Sequence, residues 1–199
     1  MPKPTPIDAG TGVTPDDVLR FWLEEVGPDG WYGGGAELDD AIRDRFEGAW
    51  QAARDGRLTH WNCNADGALA FLILTDQFPR NMFRGEGRAF ATDALARKKA
   101  KQAIRRGLDL EIDAPARQFF YLPLEHSETG PDQHRAVRLI AMRMDAPETL
   151  RHARAHREVI RRHGRFPYRN EALGRSSTPD EEAMLRAGGY GAVLDDIAA

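Results

Sequence analysis

The stretch DGALAFLILTDQF, residues 66–78, is the most apolar part of the chain and decides its fold class. Its seven consecutive apolar residues, Ala68 to Leu74, fit either a buried strand or a buried helix, and periodicity alone does not separate the two. Two flanking residues favour the helix, because Asn64 is a suitable N-cap and Pro79 is placed to end a helix. We therefore predict a buried helix over residues 66–78.

Start and stop signals for helices recur along the rest of the chain. A Thr-Pro-Asp-Asp start at residues 14–17 is followed by a Gly-Pro stop at residues 27–28, and an apolar stripe over residues 38–55 ends at Gly56. Three further helices are predicted over residues 88–107, over Pro131 to Asp145 and over Pro147 to His163. Another starts at Asp113-Ala114-Pro115 and is kinked at Pro123. The last runs from the capping box at residues 178–181 to Gly188-Gly189.

No stretch alternates apolar and polar residues as a half-buried strand does. Helices joined by short loops pack as antiparallel neighbours. The sequence therefore predicts an all-α protein with one helical domain over residues 14–199, preceded by a loose Pro- and Gly-rich leader over residues 1–13.

Composition indicates a soluble protein of the cytoplasm. The 199 residues are 41% hydrophobic and 30% charged, which is ordinary for a folded domain. The longest apolar run has seven residues against the ~20 that a membrane-spanning helix needs, and the first residues lack the apolar stretch of a secretory signal. Cys63 is the only cysteine, so an internal disulfide is excluded and a reducing compartment fits.

The net charge of −3 is unevenly distributed. Residues 16–57 carry eleven acidic and five basic side chains, whereas residues 151–175 carry eight arginines, three histidines and two glutamates. Nucleic-acid binding calls for a broad basic surface, so a nucleic-acid partner is not expected. One region is nevertheless predicted to be locally positive.

Three segments combine apolar anchors with charged residues where helices are predicted to end. They are LTDQFPRNMFRG at 74–85, YLPLEHSE at 121–128 and HGRFPYRNEALGR at 163–175. We take them, with His156, as the candidate site. Its ligand-binding candidates are Asp76, Arg80, Asn81, Arg84, Glu125, His126, Glu128, His156, Arg165, Arg169, Asn170 and Arg175.

These segments resemble the bacterial family known as domain of unknown function 924. The resemblance rests on DQFPRN at 76–81, LPLEHSE at 122–128, and GRFP, RN and LGR between 164 and 175, and it extends from about Asp17 to Tyr190. It implies an all-helical fold similar to tetratricopeptide-like α-α superhelices. It implies no activity, substrate or catalytic residue.

The polar cluster has three physical interpretations. Arginine holds carboxylates and carbonyls with a planar fork of donors, so the cluster can be an internal network that fixes the loops. The function that the sequence favours is a binding module, in which surplus arginines form a groove for a small anionic molecule or a peptide segment. The third interpretation is a hydrolase-like enzyme, with Glu125, His126 and His156 as its acid–base candidates.

Metal and cofactor signals are weak. His152 and His156 are four residues apart, as zinc ligands on a helix can be, but Ala153 stands where a metalloprotease has its glutamate. The chain has neither a phosphate-binding loop motif nor a dinucleotide-binding glycine pattern. We expect no metal and no bound cofactor.

The arginines yield a specific structural expectation. With Pro79 and Pro167 ending helices, the arginines of the first and third segments should lie in short converging loops, and local acids leave about one positive charge unmatched. We expect Arg80 and Arg169 to be buried and paired. At least one of three others, Arg84, Arg165 and Arg175, should face an open cleft.

Overall fold

The computed structural model describes residues 10–198 and contains helices but no strand within that range. The all-α prediction is confirmed, whereas the tetratricopeptide-like arrangement and the single-domain boundary at residue 14 remain predictions. Of the predicted leader, residues 1–9 lie outside the described residues, and residues 10–13 are not helical. None of the helices in the described range is both long enough and apolar enough to cross a bilayer.

In chain order the α-helices are α1 (Pro15–Leu19), α2 (Gly27–Gly30), α3 (Ala36–Arg54), α4 (Ala65–Leu72), α5 (Phe78–Met82), α6 (Asp93–Arg106), α7 (Leu122–Glu125), α8 (Gly130–Arg143), α9 (Pro147–His163), α10 (Pro179–Arg186) and α11 (Gly189–Ala198). Two π-helical segments, Arg20–Val26 and Ile73–Gln77, continue α1 and α4. Short 3-10 helices span Thr59–Cys63, Gly87–Phe90, Leu108–Glu111, Ala116–Phe120 and Pro167–Arg169.

Local capping explains where several helices begin and end. Thr14 accepts from the backbone N–H of Asp17, and Asp17 accepts in return from the backbone N–H of Thr14. The helix α9 ends at Gly164, whose φ of 71° is a left-handed conformation that glycine adopts without steric cost. These signals lie within a few residues of the ends that they define, and for that reason the sequence predicted them.

The buried helix was predicted in the right place, but its end at Pro79 was wrong. Asn64 caps α4, and the π-helical segment then continues directly into α5, where Pro79 occupies the first turn. Proline has no N–H, so the carbonyl of Thr75 four residues earlier lacks its usual donor. The buried hydroxyl of Thr92 donates to that carbonyl at 2.6 Å and itself accepts from the indole N–H of Trp50 at 3.0 Å. An outside donor therefore lets the helix pass the proline.

Four further features of the prediction were wrong. The helix predicted from residue 88 begins at Asp93, after the 3-10 helix Gly87–Phe90. Pro167 does not end α9, which stops at Gly164; it begins the next 3-10 helix instead. A kinked helix was predicted from Asp113, but the chain forms the 3-10 helix Ala116–Phe120 and then the short α7. The predicted end at Gly188-Gly189 is followed by α11, which was missed, and its apolar side chains pack on α9.

The core forms two apolar clusters. The larger one includes α1, α3, the continuous α4–α5 helix, α6 and α8, and centres on aromatic side chains such as Trp22, Phe46 and Phe78. The smaller one joins Val159 and Phe166 to Val193 of α11. The helix α9 contributes to both clusters, with Ala153 in the larger and Val159 in the smaller.

Candidate functional site

The main cleft is a cavity of about 490 Å³. The continuous α4–α5 helix, α7, α9 and α11 supply most of its wall. Four of the candidate residues named from the sequence line it, namely Arg80, Glu125, His126 and His156. The remaining lining residues are Tyr32, Gln77, Gln118, Leu122, Glu148, Thr149, His152 and Tyr190.

His126 forms the first of two histidine–carboxylate pairs in the cleft. It caps the C-terminus of α7, and its Nδ1 lies 2.8 Å from a carboxylate oxygen of Asp76 in the π-helical segment. Both side chains are almost completely buried, with 13% and 3% of their surfaces exposed. The Nε2 of His126 has no hydrogen-bond partner among the described residues.

The charge states of this pair follow from burial and from Arg80. Burial opposes ionisation of Asp76, but the nearby Arg80 and His126 outweigh it and hold the pKa of Asp76 below its usual value. Burial, with help from Arg80, lowers the pKa of His126 to about 4 against the opposing effect of Asp76. At neutral pH an ionised carboxylate therefore faces a neutral imidazole. Because that carboxylate only accepts, the imidazole proton sits on Nδ1 and the Nε2 lone pair is free.

His156 forms the second pair, with Glu125. Its Nδ1 lies 3.3 Å from one carboxylate oxygen of Glu125, and the other oxygen is buried without a hydrogen-bond partner among residues 10–198. The ring stacks on Tyr190 of α11 at 4.8 Å and meets the edge of Phe166 at 5.6 Å. The rings of His126 and His156 stand nearly perpendicular with centroids 6.0 Å apart, so both imidazoles border one small space.

Arg80 lies beneath the first pair. It binds Asp93 with two hydrogen bonds of 3.0 Å, lies 3.6 Å from a carboxylate oxygen of Asp76, and donates to the Asp76 carbonyl. Its side chain is 17% exposed. Arg169 is 7% exposed at the side chain and lies 3.5 Å from Asp93. The prediction that Arg80 and Arg169 are largely buried and paired is confirmed, although Arg80 lies in α5 and not in a loop, and Arg169 shares Asp93 with Arg80.

A second and smaller space, the arginine cavity, adjoins the main cleft. It measures about 260 Å³ and shares Arg80, His126 and His156 with the cleft. Its remaining lining residues are Arg84, Gly85, Ala89, Phe90, Tyr168 and Arg169.

Arg84 faces the arginine cavity, as expected for at least one of the three outer arginines, but it is not unpaired. Its guanidinium binds Asp39 of α3 at 2.8 and 3.0 Å, and Asn81 donates to the same carboxylate at 2.9 Å. Asn81 also accepts from Gln77 at 3.2 Å. Asn81 therefore braces neighbouring side chains and lines neither cavity.

Four other candidates connect loops through hydrogen bonds and are not part of the lining of either cavity. Arg175 forms two hydrogen bonds with Glu128, at 2.7 and 3.0 Å. Arg165 binds Glu181 of α10, and Asn170 donates to the same carboxylate at 3.2 Å. None of these side chains lines the main cleft or the arginine cavity.

The expected positive surplus is wrong. The five arginines of the first and third segments meet five carboxylates, because Asp39, Asp93 and Glu181 come from parts of the chain outside all three segments. Helix packing brings these three distant carboxylates to arginines that lack a local partner. The charges within the segments alone therefore do not predict the balance.

Several lining residues were not named as site candidates. Glu148, His152 and His156 follow one another at a spacing of four residues, so they share one face of α9, and this spacing was a usable signal. Exposed His152 bonds through Nδ1 to the hydroxyl of Tyr190 at 2.7 Å. No local pattern placed Tyr190 or Tyr32 in the cleft, since both depend on how the ends of the domain pack.

The described residues contain no group of three or more His, Cys, Asp or Glu side chains able to hold a metal ion. The Nδ1 atoms of His152 and His156 point to different partners, Tyr190 and Glu125.

Fold and site together define an all-α protein with a cleft lined by histidines and carboxylates. Residues 18–189 match the family model described as bacterial protein of unknown function (DUF924), and the chain belongs to that family. A solved structure of a protein of unknown function from Agrobacterium tumefaciens is similar to it, with 42% identity and a TM-score of 0.83. That match covers 87% of this chain and 97% of the other. No curated protein sequence matches the chain significantly.

Proposed function

We propose that this protein is a hydrolase-like enzyme that performs acid–base chemistry on a small molecule bound in the main cleft. The observation that carries the proposal is the pair of histidines, each held at Nδ1 by its own buried carboxylate, with ring centroids 6.0 Å apart. A carboxylate at Nδ1 fixes the orientation of an imidazole and stabilises its charged form when it takes up a proton.

His126 has the features of the general base. It is neutral at physiological pH, and Asp76 fixes the tautomer that leaves the Nε2 lone pair free. Its lowered pKa makes it a weak base in the resting protein, but Asp76 would stabilise the imidazolium as a proton is transferred. His126 would take this proton from a water molecule.

His156 is the matching candidate for the general acid. Glu125 holds its Nδ1, and stacking against Tyr190 fixes the plane of its ring. As an imidazolium held by the Glu125 carboxylate, it would deliver its Nε2 proton to the leaving group on the neighbouring side of the same space.

Water is the nucleophile that this arrangement favours. Within the described residues, neither histidine forms a hydrogen bond to a serine, threonine or cysteine side chain. Ser127 follows His126 directly but donates to Asp132 at 3.0 Å. Covalent catalysis by a serine therefore has no support in the geometry.

Binding without chemistry is the second candidate, and the arginine cavity favours it. A module of this kind would hold a small anionic ligand or a peptide segment. The volume of the main cleft suits a small molecule better than a chain segment. The pairing of all five arginines weakens the original argument from surplus charge.

The test is a panel of small esters, amides and phosphate esters, assayed with wild-type protein and with H126N and H156N. Asparagine can keep a donor near the Nδ1 position while removing the ring Nε2. Turnover should fall at least about 100-fold in either variant, with thermal melting within a few degrees of wild type. Loss of melting temperature in both variants, with no turnover by the wild type, would instead identify the pairs as a structural network.

A further inference from the structure

The arginine cavity lies beside the two histidines, on the side where Phe90 and Tyr168 form part of the wall. Because it shares His126 and His156 with the main cleft, a molecule in the cleft could extend one group into it. The class of group that it accepts is therefore a property of the substrate.

Arg169 is the most constrained side chain of this cavity. The residue is 6% exposed, and its guanidinium lies 4.8 Å from the ring centre of Phe90 and 4.3 Å from that of Phe166. One nitrogen, Nη1, donates to the carbonyl of His126 at 3.0 Å. The other two, Nε and Nη2, have no acceptor among the described residues, and neither is sealed from solvent. These two nitrogens are adjacent in the planar fork and suit two oxygens of one anion.

Among the described residues, Arg169 forms no hydrogen bond to a carboxylate, and its one ion pair is the longer contact to Asp93. Asp93, at 3.5 Å, already forms both of its short hydrogen bonds with Arg80. Glu128, also near, forms two hydrogen bonds with Arg175. Burial and the proximity of Arg80 lower the pKa of Arg169, whereas Asp76 and Asp93 outweigh burial and raise the pKa of Arg80. An anion placed beside Arg169 would therefore stabilise a buried charge that forms no hydrogen bond to a carboxylate.

We infer that the arginine cavity is a subsite for an anionic group of the substrate, a phosphate or a carboxylate, which binds Nε and Nη2 of Arg169. The inference rests on the proposed function, because it names the substrate class of the same site. A small molecule with its reactive group between the histidines would place its anionic end against Arg169. Arg169 is then a binding residue, and it takes no part in proton transfer.

The test is calorimetric titration of inorganic phosphate and of acetate into wild-type protein and three variants. R169Q removes the charge, and R169K keeps it without the planar fork. R105A is the matched control, because Arg105 is exposed and lines a different pocket, beside α6. We expect R169Q to weaken binding of at least one anion about tenfold or more, and R169K to weaken it measurably. R105A should bind as wild type does.

Two results would overturn the inference: no binding of either anion by the wild type, or binding of both anions by R169Q with the affinity of the wild type. If R169Q does not fold, wild-type crystals grown with phosphate decide the point, and an anion found only away from Arg169 refutes the subsite. The two proposals fail separately. Anion binding through Arg169 without turnover of any substrate would support the anion site and refute the proposed enzyme. Turnover of neutral esters without anion binding would support the enzyme and refute the anion site.

Discussion

The Nδ1 of His126 and a carboxylate oxygen of Asp76 lie 2.8 Å apart, although the two residues are separated by fifty positions in the chain. The pair is buried, and Arg80 sits within 3.6 Å of the same carboxylate. Its two members are therefore held in one charge state at neutral pH, and the predictions for stability and for the proposed chemistry both follow from that state.

Stability should fall in acid because of His126. Its pKa is about 4 in the folded protein and about 6.5 when unfolded, so the unfolded chain binds more protons between these values. The contribution of neutral His126 to the free energy of unfolding is complete above pH 6.5. As the pH falls towards 4, the free energy of unfolding decreases by roughly 2–3 kcal/mol. Denaturant unfolding at pH 7 and pH 4.5 measures the loss. H126N should lose less free energy of unfolding between pH 7 and pH 4.5 than the wild type. An equal loss in both proteins would show that His126 is not the cause.

Asp76→Asn should separate positioning from binding. The amide can donate to Nδ1, which moves the imidazole proton to Nε2 and removes the free lone pair. Turnover of an identified substrate should fall by about 10³-fold or more near neutral pH, with a changed pH–rate profile and a KM close to that of wild type. An unchanged profile would show that Asp76 does not control the tautomer.

Two arginines of the first segment should differ strongly in their effect on stability. Arg80→Met removes the guanidinium beside the buried Asp76 and leaves Arg169 as the remaining partner of Asp93. The free energy of unfolding should therefore fall by about 3–5 kcal/mol. Arg84→Met removes a guanidinium that is 57% exposed, and should cost about 0–1 kcal/mol. Urea unfolding of both variants measures the two losses in the free energy of unfolding. Equal losses would contradict the prediction.

The helix that passes through Pro79 should depend on Thr92. Thr92→Val leaves the buried carbonyl of Thr75 without a donor and the indole of Trp50 without an acceptor. We expect a loss of about 1–3 kcal/mol in the free energy of unfolding. Thr92→Ser keeps the hydroxyl and serves as the control. Its loss should be clearly smaller.

A strong chelator should leave the melting temperature unchanged. His152 and His156 are four residues apart on α9, yet their Nδ1 atoms are directed to Tyr190 and Glu125. A structural zinc ion would contribute several kcal/mol or more, so its removal would be obvious. A drop in melting temperature that added zinc reverses would contradict this prediction.

The sequence by itself determined the fold class and most helix boundaries. Asn64 caps the buried helix, the capping boxes at Thr14 and Thr178 start α1 and α10, and Pro147 begins α9 at the predicted residue. Each signal acts within one helical turn, because a cap satisfies backbone groups only three or four positions away. Such short-range chemistry can be read from a sequence without knowledge of the fold.

Only the tertiary structure decided which charges meet and which histidines share a space. Asp39, Asp93 and Glu181 reach their arginines by helix packing, and His156 reaches Glu125 across thirty-one positions. The continuation of the helix past Pro79 likewise depends on Thr92, seventeen positions from the carbonyl that it serves. A buried charge or carbonyl accepts any partner with suitable geometry, so the requirement can be foreseen from the sequence. The partner itself is selected by the packing of the apolar core.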